Sequence, residues 1–158
     1  MTTPFIAEKA IDAVAESLGG DKYDEAIADM QAKQPILFSY LLSESFKLLT
    51  KEESDYLIYL ALVIWKSVST TTATAELLMS DNIEEAEEKN WTLFNESKAR
   101  KFNDKLDAFF NKYPQEDLLA FVEDALVDDE DSFVTKEGKE LLFIGLKTTI
   151  DTLCKIAV

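Results

Sequence analysis

The chain has 158 residues, of which 47% are hydrophobic and 30% are charged, and its 31 acidic residues against 16 basic ones give a formal net charge of −15. This composition predicts a folded globular protein with one domain, residues 1–158, that is long enough to bury a core. A surface this acidic repels phosphate groups, so we expect no direct binding of nucleic acid and no binding to an anionic membrane. A basic protein or a divalent cation would be attracted.

Several residue types that catalysis often needs are missing or scarce. The absence of histidine excludes histidine acid–base catalysis, His-containing nucleophile triads and metal sites that use imidazole. Arg100 is the only arginine, which excludes a phosphate clamp built from several arginines. The single Cys154 permits no intramolecular disulfide, and its place on an apolar stripe predicts a small buried hydrophobe. The first ten residues, MTTPFIAEKA, contain no signal-peptide pattern, so we expect a cytosolic protein.

Only four glycines and three prolines punctuate the chain, which favours long helices over the many turns of an all-β fold. We therefore predict an all-α bundle of six or seven helices. The first helix is expected to start at Thr3–Pro4 and to end at Gly19–Gly20. A second helix should run from Asp21 to about Gln34, because Pro35 disfavours helical geometry in the residue before it.

The next two helices are predicted to form a buried helical hairpin, residues 35–69, at the centre of the fold. Pro35 can open the first arm, PILFSYLLSESFKLL, whose apolar residues cover most of its circumference. Thr50 and Glu53 form a capping-box pattern at the start of the second arm. That arm contains Tyr56–Trp65, a run that is apolar on every face and too short to cross a bilayer. A strand is the alternative for this run, but the chain offers no plausible partner strand.

Two further features of the second half of the chain bear on its helices. No residue between positions 82 and 112 demands a break, but the apolar stripe changes direction along the way. This change predicts a kink or break in residues 90–95. The last helix is expected to start between Ser132 and Lys136. Gly145 in its middle indicates a close contact with a bulky aromatic side chain from another helix.

Four glutamates among residues 84–88 place pairs of carboxylates on one helical face, a pattern that can hold Mg²⁺. Glu85 and Glu88 are spaced as in all-α nucleotide pyrophosphatases of the MazG type, which these residues resemble. In that family two glutamates three apart are followed by a Glu and an Asp three apart. Asp104 and Asp107 would supply the second half here, although the first of them departs from the family's Glu. The resemblance implies an Mg²⁺-dependent nucleotide hydrolase; the alternative is a solvated acidic face.

An acidic loop is predicted before the last helix, formed by Asp128, Asp129, Glu130 and Asp131. An EF-hand that starts at Asp129 is excluded, because Phe133 falls where an oxygen ligand belongs and Val134 where the turn needs glycine. No lysine or arginine occurs from Tyr113 to Thr135. This loop is predicted to be a surface that docks a basic protein partner, with charge setting the encounter rate. The alternative is that residues 89–112, which carry an excess of positive charge, neutralise it within the protein.

Aromatic side chains offer another possible site. Tyr40, Tyr56 and Tyr59 could surround a pocket for a small ligand, with Ser39 and Ser43 as polar contacts. Aromatic residues at helical spacing are also what a packed core requires, and this is the competing interpretation.

The function predicted from the sequence is that of a small acidic cytosolic protein without enzymatic activity. It would bind another protein through an acidic surface and act as an inhibitor or immunity-like module. No residue pattern indicates a cofactor. The Mg²⁺-dependent hydrolase and a ligand-binding helical bundle are the alternatives.

Overall fold

The computed structural model describes residues 3–71, 76–126 and 132–156. Within these ranges all regular structure is helical, as predicted, and there is no strand. The described residues form eight α-helices, so the predicted count of six or seven is too low. Their bounds are α1 Glu8–Ser17, α2 Asp21–Lys33, α3 Pro35–Leu41, α4 Lys51–Thr71, α5 Ser80–Glu96, α6 Phe102–Phe110, α7 Glu116–Ala125 and α8 Lys136–Leu153. A 3₁₀ turn, Glu44–Phe46, lies between α3 and α4.

The centre of the fold is α8 and not the predicted hairpin. Every residue of α8 from Leu142 to Leu153 is buried. α8 packs most extensively against α5 and α4, and α4 also contacts α1 and α2. α3, the first arm of the predicted hairpin, packs instead on α2 and α5. Residues 35–69 therefore do not form a central hairpin, although the buried run in α4 is part of the core as expected.

The first arm is also shorter than predicted, because α3 ends at Leu41. The Ser43 hydroxyl donates to the Tyr40 carbonyl at 2.6 Å and accepts from the Ser45 N–H at 3.4 Å. Such local bonds compete with helical hydrogen bonds, which explains the break. The 3₁₀ turn that follows brings the ring of Phe46 against α8. A Cβ added at Gly145 would lie 2.8 Å from that ring, so the predicted contact with an aromatic is confirmed.

The predicted capping box at the start of α4 is confirmed and extends further than the sequence indicated. The Thr50 N–H donates to the Glu53 carboxylate at 2.9 Å, and the Glu53 N–H donates to the Thr50 hydroxyl at 3.1 Å. The same carboxylate accepts from the N–H and the hydroxyl of Thr135, at 2.7 and 2.9 Å. Thr135 is the N-cap of α8, which starts at Lys136, within the predicted interval. One buried carboxylate therefore joins two helix N-termini.

The N-terminal segment departs from the prediction, because α1 starts at Glu8 and not at Thr3–Pro4. Residues 3–6 are not helical, and the buried side chain of Gln115 holds them. Its amide donates to the carbonyls of Thr3 and Pro4 at 3.2 and 2.9 Å, and its oxygen accepts from the Ile6 N–H at 3.0 Å. These long-range bonds replace the helical ones that the first turn would have made.

The expected break in residues 82–112 exists, but it lies later than predicted. α5 continues through residues 90–95 and ends at Glu96, and α6 starts at Phe102. At the break, the Ser97 hydroxyl accepts from the Ala99 N–H at 3.2 Å. Among the described helices, none has both the length and the apolar character that a membrane span needs.

Candidate functional site

A cleft of about 490 Å³ lies between the α3–3₁₀ region and the N-terminal half of α5. We call it the acidic cleft. It is lined by Ile36, Ser39, Tyr40, Ser43, Glu44, Ser45, Ser80, Ile83, Glu84 and Glu87. Three of these side chains are carboxylates and four are serine hydroxyls, and no lysine or arginine is among them. The cleft therefore presents oxygen acceptors and negative charge, an environment that favours a cation.

The geometry of α5 separates its glutamates into two faces. Glu84 and Glu87 are three residues apart and line the acidic cleft next to Ile83, which is buried in the core. Glu85 and Glu88 also lie three apart, and they line a different depression with Lys89. Adjacent residues of an α-helix are rotated by about 100° from each other, which separates Glu84 from Glu85 and Glu87 from Glu88.

Tyr40 links the two walls of the acidic cleft. Its hydroxyl donates a hydrogen bond to the Glu87 carboxylate across the cleft. Burial raises the pKa of Tyr40, and the neighbouring Glu87 carboxylate raises that pKa further. The hydroxyl is consequently a donor at neutral pH, and it holds one of the three carboxylates in place. The ring of Tyr40 packs edge-on against Phe46, with centroids 5.2 Å apart.

Tyr56 and Tyr59, predicted to share a pocket with Tyr40, are not among the residues that line the acidic cleft. The Tyr56 hydroxyl donates to the Ala125 carbonyl in α7 at 2.9 Å, and its ring packs edge-on against Phe133. Tyr59 is half-buried against the hydrophobic core. Burial raises the pKa of Tyr56, and the neighbouring Tyr59 raises it further.

The carboxylates that the sequence suggested for Mg²⁺ do not form one site. Glu85 and Glu88 lie on α5, and Asp104 and Asp107 on α6. Within residues 3–71, 76–126 and 132–156, no group of three or more Asp, Glu or Cys side chains could hold a metal ion. The other predicted acidic surface, Asp128 to Asp131, lies outside the described residues.

A buried polar network that the sequence analysis did not identify connects α5 and α8. Lys147 and Asp151, four residues apart on α8, form an ion pair with Nζ and Oδ2 separated by 2.7 Å. Lys147 is 5% exposed and Asp151 is 2% exposed. The side chain of Asn90 in α5 accepts from Lys147 at 3.1 Å and donates to both Asp151 and Thr148, each at 3.1 Å.

Tyr113, in the loop between α6 and α7, completes this network. Its hydroxyl donates to Asp151 Oδ1 at 2.5 Å, and the Lys147 ammonium lies 4.5 Å from the centre of its ring. Burial raises the pKa of Tyr113, and the Asp151 carboxylate raises it further. Burial lowers the pKa of Lys147, and the charge of Asp151 opposes this effect. We call Asn90, Tyr113, Lys147 and Asp151 the α8 network.

One sequence signal could have pointed to this network. Lys147 and Asp151 are spaced four apart in the middle of a helix whose other residues are largely apolar, and a charged pair on a buried face needs mutual partners. The positions of Asn90 and Tyr113 had no such signal, because both depend on how distant helices pack.

Cys154 next to this network is buried, as predicted. Burial raises the pKa of its thiol to about 12. Because a thiolate and not a thiol is the nucleophile, this side chain is unreactive at neutral pH.

Comparisons with known proteins identify no relative of this chain. No protein-family model matches it, and neither a curated protein nor a solved structure is significantly similar to it.

Proposed function

We propose that this protein binds a basic segment of a partner protein in the acidic cleft and regulates that partner without catalysis, as an inhibitor or immunity-like module. The observation that carries the proposal is the charge of the cleft. Glu44, Glu84 and Glu87 line it together, and no basic side chain among its lining residues neutralises them. A lysine or arginine of the partner would supply the missing positive charge.

The rest of the cleft suits the long side chain of a basic residue. Ile36 and Ile83 provide apolar surface for the methylene groups of lysine or arginine. Serine hydroxyls such as those of Ser39 and Ser80 can accept the N–H groups at the end of such a side chain. Charge and shape together therefore favour an extended basic side chain over a small inorganic cation.

Two exposed leucines next to the cleft indicate a wider contact surface. Leu42 is 62% exposed and Leu48 is 77% exposed, and both flank the 3₁₀ turn that contributes Ser45 and Glu44. An interface typically has an apolar centre with a polar rim, so leucines beside a charged cleft provide both components. We infer that the partner segment carries apolar residues beside its basic ones.

The proposal is tested with a labelled peptide of lysine and leucine residues, titrated with the protein at low and moderate salt. Binding is expected to weaken as salt increases. The triple variant Glu44→Gln, Glu84→Gln and Glu87→Gln should bind about tenfold more weakly, since each exposed ion pair contributes roughly 0.2–1 kcal/mol.

A second triple variant controls for net charge alone. Glu16→Gln, Glu25→Gln and Glu52→Gln remove the same charge from exposed positions that do not line the cleft. Binding by this variant should change by less than about twofold at moderate salt. Equal losses in the two triple variants would mean that the overall charge attracts the peptide and that the cleft is not the site.

A further inference from the structure

A second cleft, of about 400 Å³, lies beside α6 and differs from the acidic cleft in charge. Its walls include Leu93, Phe109, Pro114 and Ile156, and two of its lining residues are the lysines Lys112 and Lys147. Asp151 is the only carboxylate among the residues that line it. In a protein with a net charge of −15, a cleft with two cations and one anion is unusual. We call it the lysine cleft.

Lys147, a buried side chain that lines the lysine cleft, donates fewer hydrogen bonds to oxygen than its ammonium group can make. The Lys147 ammonium has three N–H groups, and two of them donate, to Asp151 Oδ2 at 2.7 Å and to Asn90 Oδ1 at 3.1 Å. Among the described residues no further oxygen accepts the third, and the ring of Tyr113 lies 4.5 Å away. The rings of Tyr113 and Phe109, whose centres lie 4.5 and 5.6 Å from the ammonium, are therefore the neighbours of the third N–H, and an aromatic face is a weaker acceptor than a carboxylate.

Asp151 is paired with Lys147, so these two charges largely cancel and the cleft keeps a net positive charge from Lys112. Oδ2 accepts from Lys147 and Asn90, and Oδ1 accepts from the Tyr113 hydroxyl at 2.5 Å. Lys112 adds a second positive charge and is exposed to solvent.

We propose that the lysine cleft binds a small carboxylic acid with a short aliphatic or aromatic body. A ligand carboxylate would accept the third N–H of Lys147 and pair with Lys112, and the apolar body would lie against Leu93, Phe109 and Ile156. The volume of about 400 Å³ falls within the range of roughly 300–1,000 Å³ for small-molecule sites. This site is separate from the acidic cleft and does not depend on the function proposed for it.

The test is an NMR titration of the ¹⁵N-labelled protein with phenylacetate and with hexanoate. Each carboxylate is expected to bind with a dissociation constant of about 1 mM or below, a level typical of small fragments. The shifted amide signals should cluster on Leu93, Ala108 and Tyr113. The neutral analogues, phenylacetamide and hexanamide, should bind at least about fivefold more weakly because they lack the charge.

Two variants at exposed positions locate the site without disturbing the α8 network. Ala108 is exposed and lines the cleft, so Ala108→Trp should fill it and abolish binding. Lys112→Gln should weaken binding by about twofold to fivefold, the range for an exposed ion pair. Lys98→Gln removes the same charge from an exposed residue that does not line the cleft, and it should leave binding unchanged.

Three outcomes would overturn the proposal. The first is that neither carboxylate shifts any signal at millimolar concentration. The second is that the amides bind as tightly as the acids, which would mean that the lysines do not select the ligand. The third is that Ala108→Trp retains the fold and the binding, which would place the contact elsewhere.

Discussion

A charged carboxylate is buried near each end of α8, and the two carboxylates have different kinds of hydrogen-bond partners. At the N-terminal end, the fully buried Glu53 has no lysine or arginine as an ion-pair partner among the described residues. Its oxygens accept from the backbone of Thr50 and from the backbone and hydroxyl of Thr135. Towards the C-terminal end, Asp151 is paired with Lys147 and bonded to side chains of α5 and of the α6–α7 loop.

This difference distinguishes a carboxylate that stabilises the fold, Glu53, from one that lies in a candidate binding site, Asp151. Glu53 uses donors that every helix N-terminus leaves unsatisfied, so the carboxylate completes two helices and has little capacity left for a ligand. The α8 network relies on side chains only, and Lys147 and Asp151 both line the lysine cleft. Burial of a charge does not by itself indicate function; the nature of its partners and its access to a cleft distinguish the two cases.

The largest effect is expected when one partner of the ion pair is removed. Lys147→Met leaves Asp151 buried without its cation, and such a loss typically costs about 3–5 kcal/mol of the free energy of unfolding. The double variant Lys147→Met and Asp151→Leu should recover part of this loss, because no uncompensated charge remains. Urea unfolding of the wild type, both single variants and the double variant measures the coupling. Strict additivity would contradict the interpretation of a mutually dependent pair.

A somewhat smaller effect is expected at the other end of α8. Glu53→Gln keeps the size of the side chain but places an amide N–H group against backbone donors. The free energy of unfolding should fall by about 2–4 kcal/mol, because two N-caps are weakened and the new amide N–H faces other donors. Urea unfolding at neutral pH measures this change. Glu52→Gln, next to it but exposed, is the matched control and should change stability by less than about 0.5 kcal/mol.

The Glu53 variant should also alter the dependence of stability on pH. Burial acts to raise the pKa of Glu53, but hydrogen bonds from Thr50 and Thr135 outweigh burial, and the net pKa is lowered. A lowered folded-state pKa stabilises the protein above the ordinary value near 4.5, and this contribution is lost as the pH falls through the folded-state pKa. The difference in stability between wild type and Glu53→Gln should therefore shrink below about pH 4.5. A constant difference down to pH 2 would contradict the assignment.

The smallest effect concerns Gly138, which lies against Glu53. A Cβ at Gly138 would lie 2.1 Å from Glu53 Oε2, so Gly138→Ala must displace the carboxylate from its donors. The expected loss is about 1–3 kcal/mol, as for overpacking in a core. In the Glu53→Ala background, where the space is free, Gly138→Ala should cost little. Thermal unfolding of the four combinations tests this, and equal costs of Gly138→Ala in both backgrounds would contradict it.

Parts of the fold could be predicted because they depend on residues close together in the chain. Pro35 starts α3, and the Thr50–Glu53 box starts α4. Each of these features follows from backbone geometry over a few positions. The predicted extent of α3 was too long, because the Ser43 side chain forms local hydrogen bonds that compete with those of a helix. The sequence does not reveal which of the two sets of hydrogen bonds forms.

The sequence by itself determined an all-helical chain with an acidic surface, since helix periodicity and net charge are local or additive properties. Only the tertiary structure decided which charges are neutralised and by what. Glu53 meets Thr135, Tyr40 meets Glu87, and Asn90 meets Lys147 across separations of 82, 47 and 57 residues. The physical reason is that the partners of a side chain depend on how whole helices pack. The same packing determines where the acidic cleft and the lysine cleft lie.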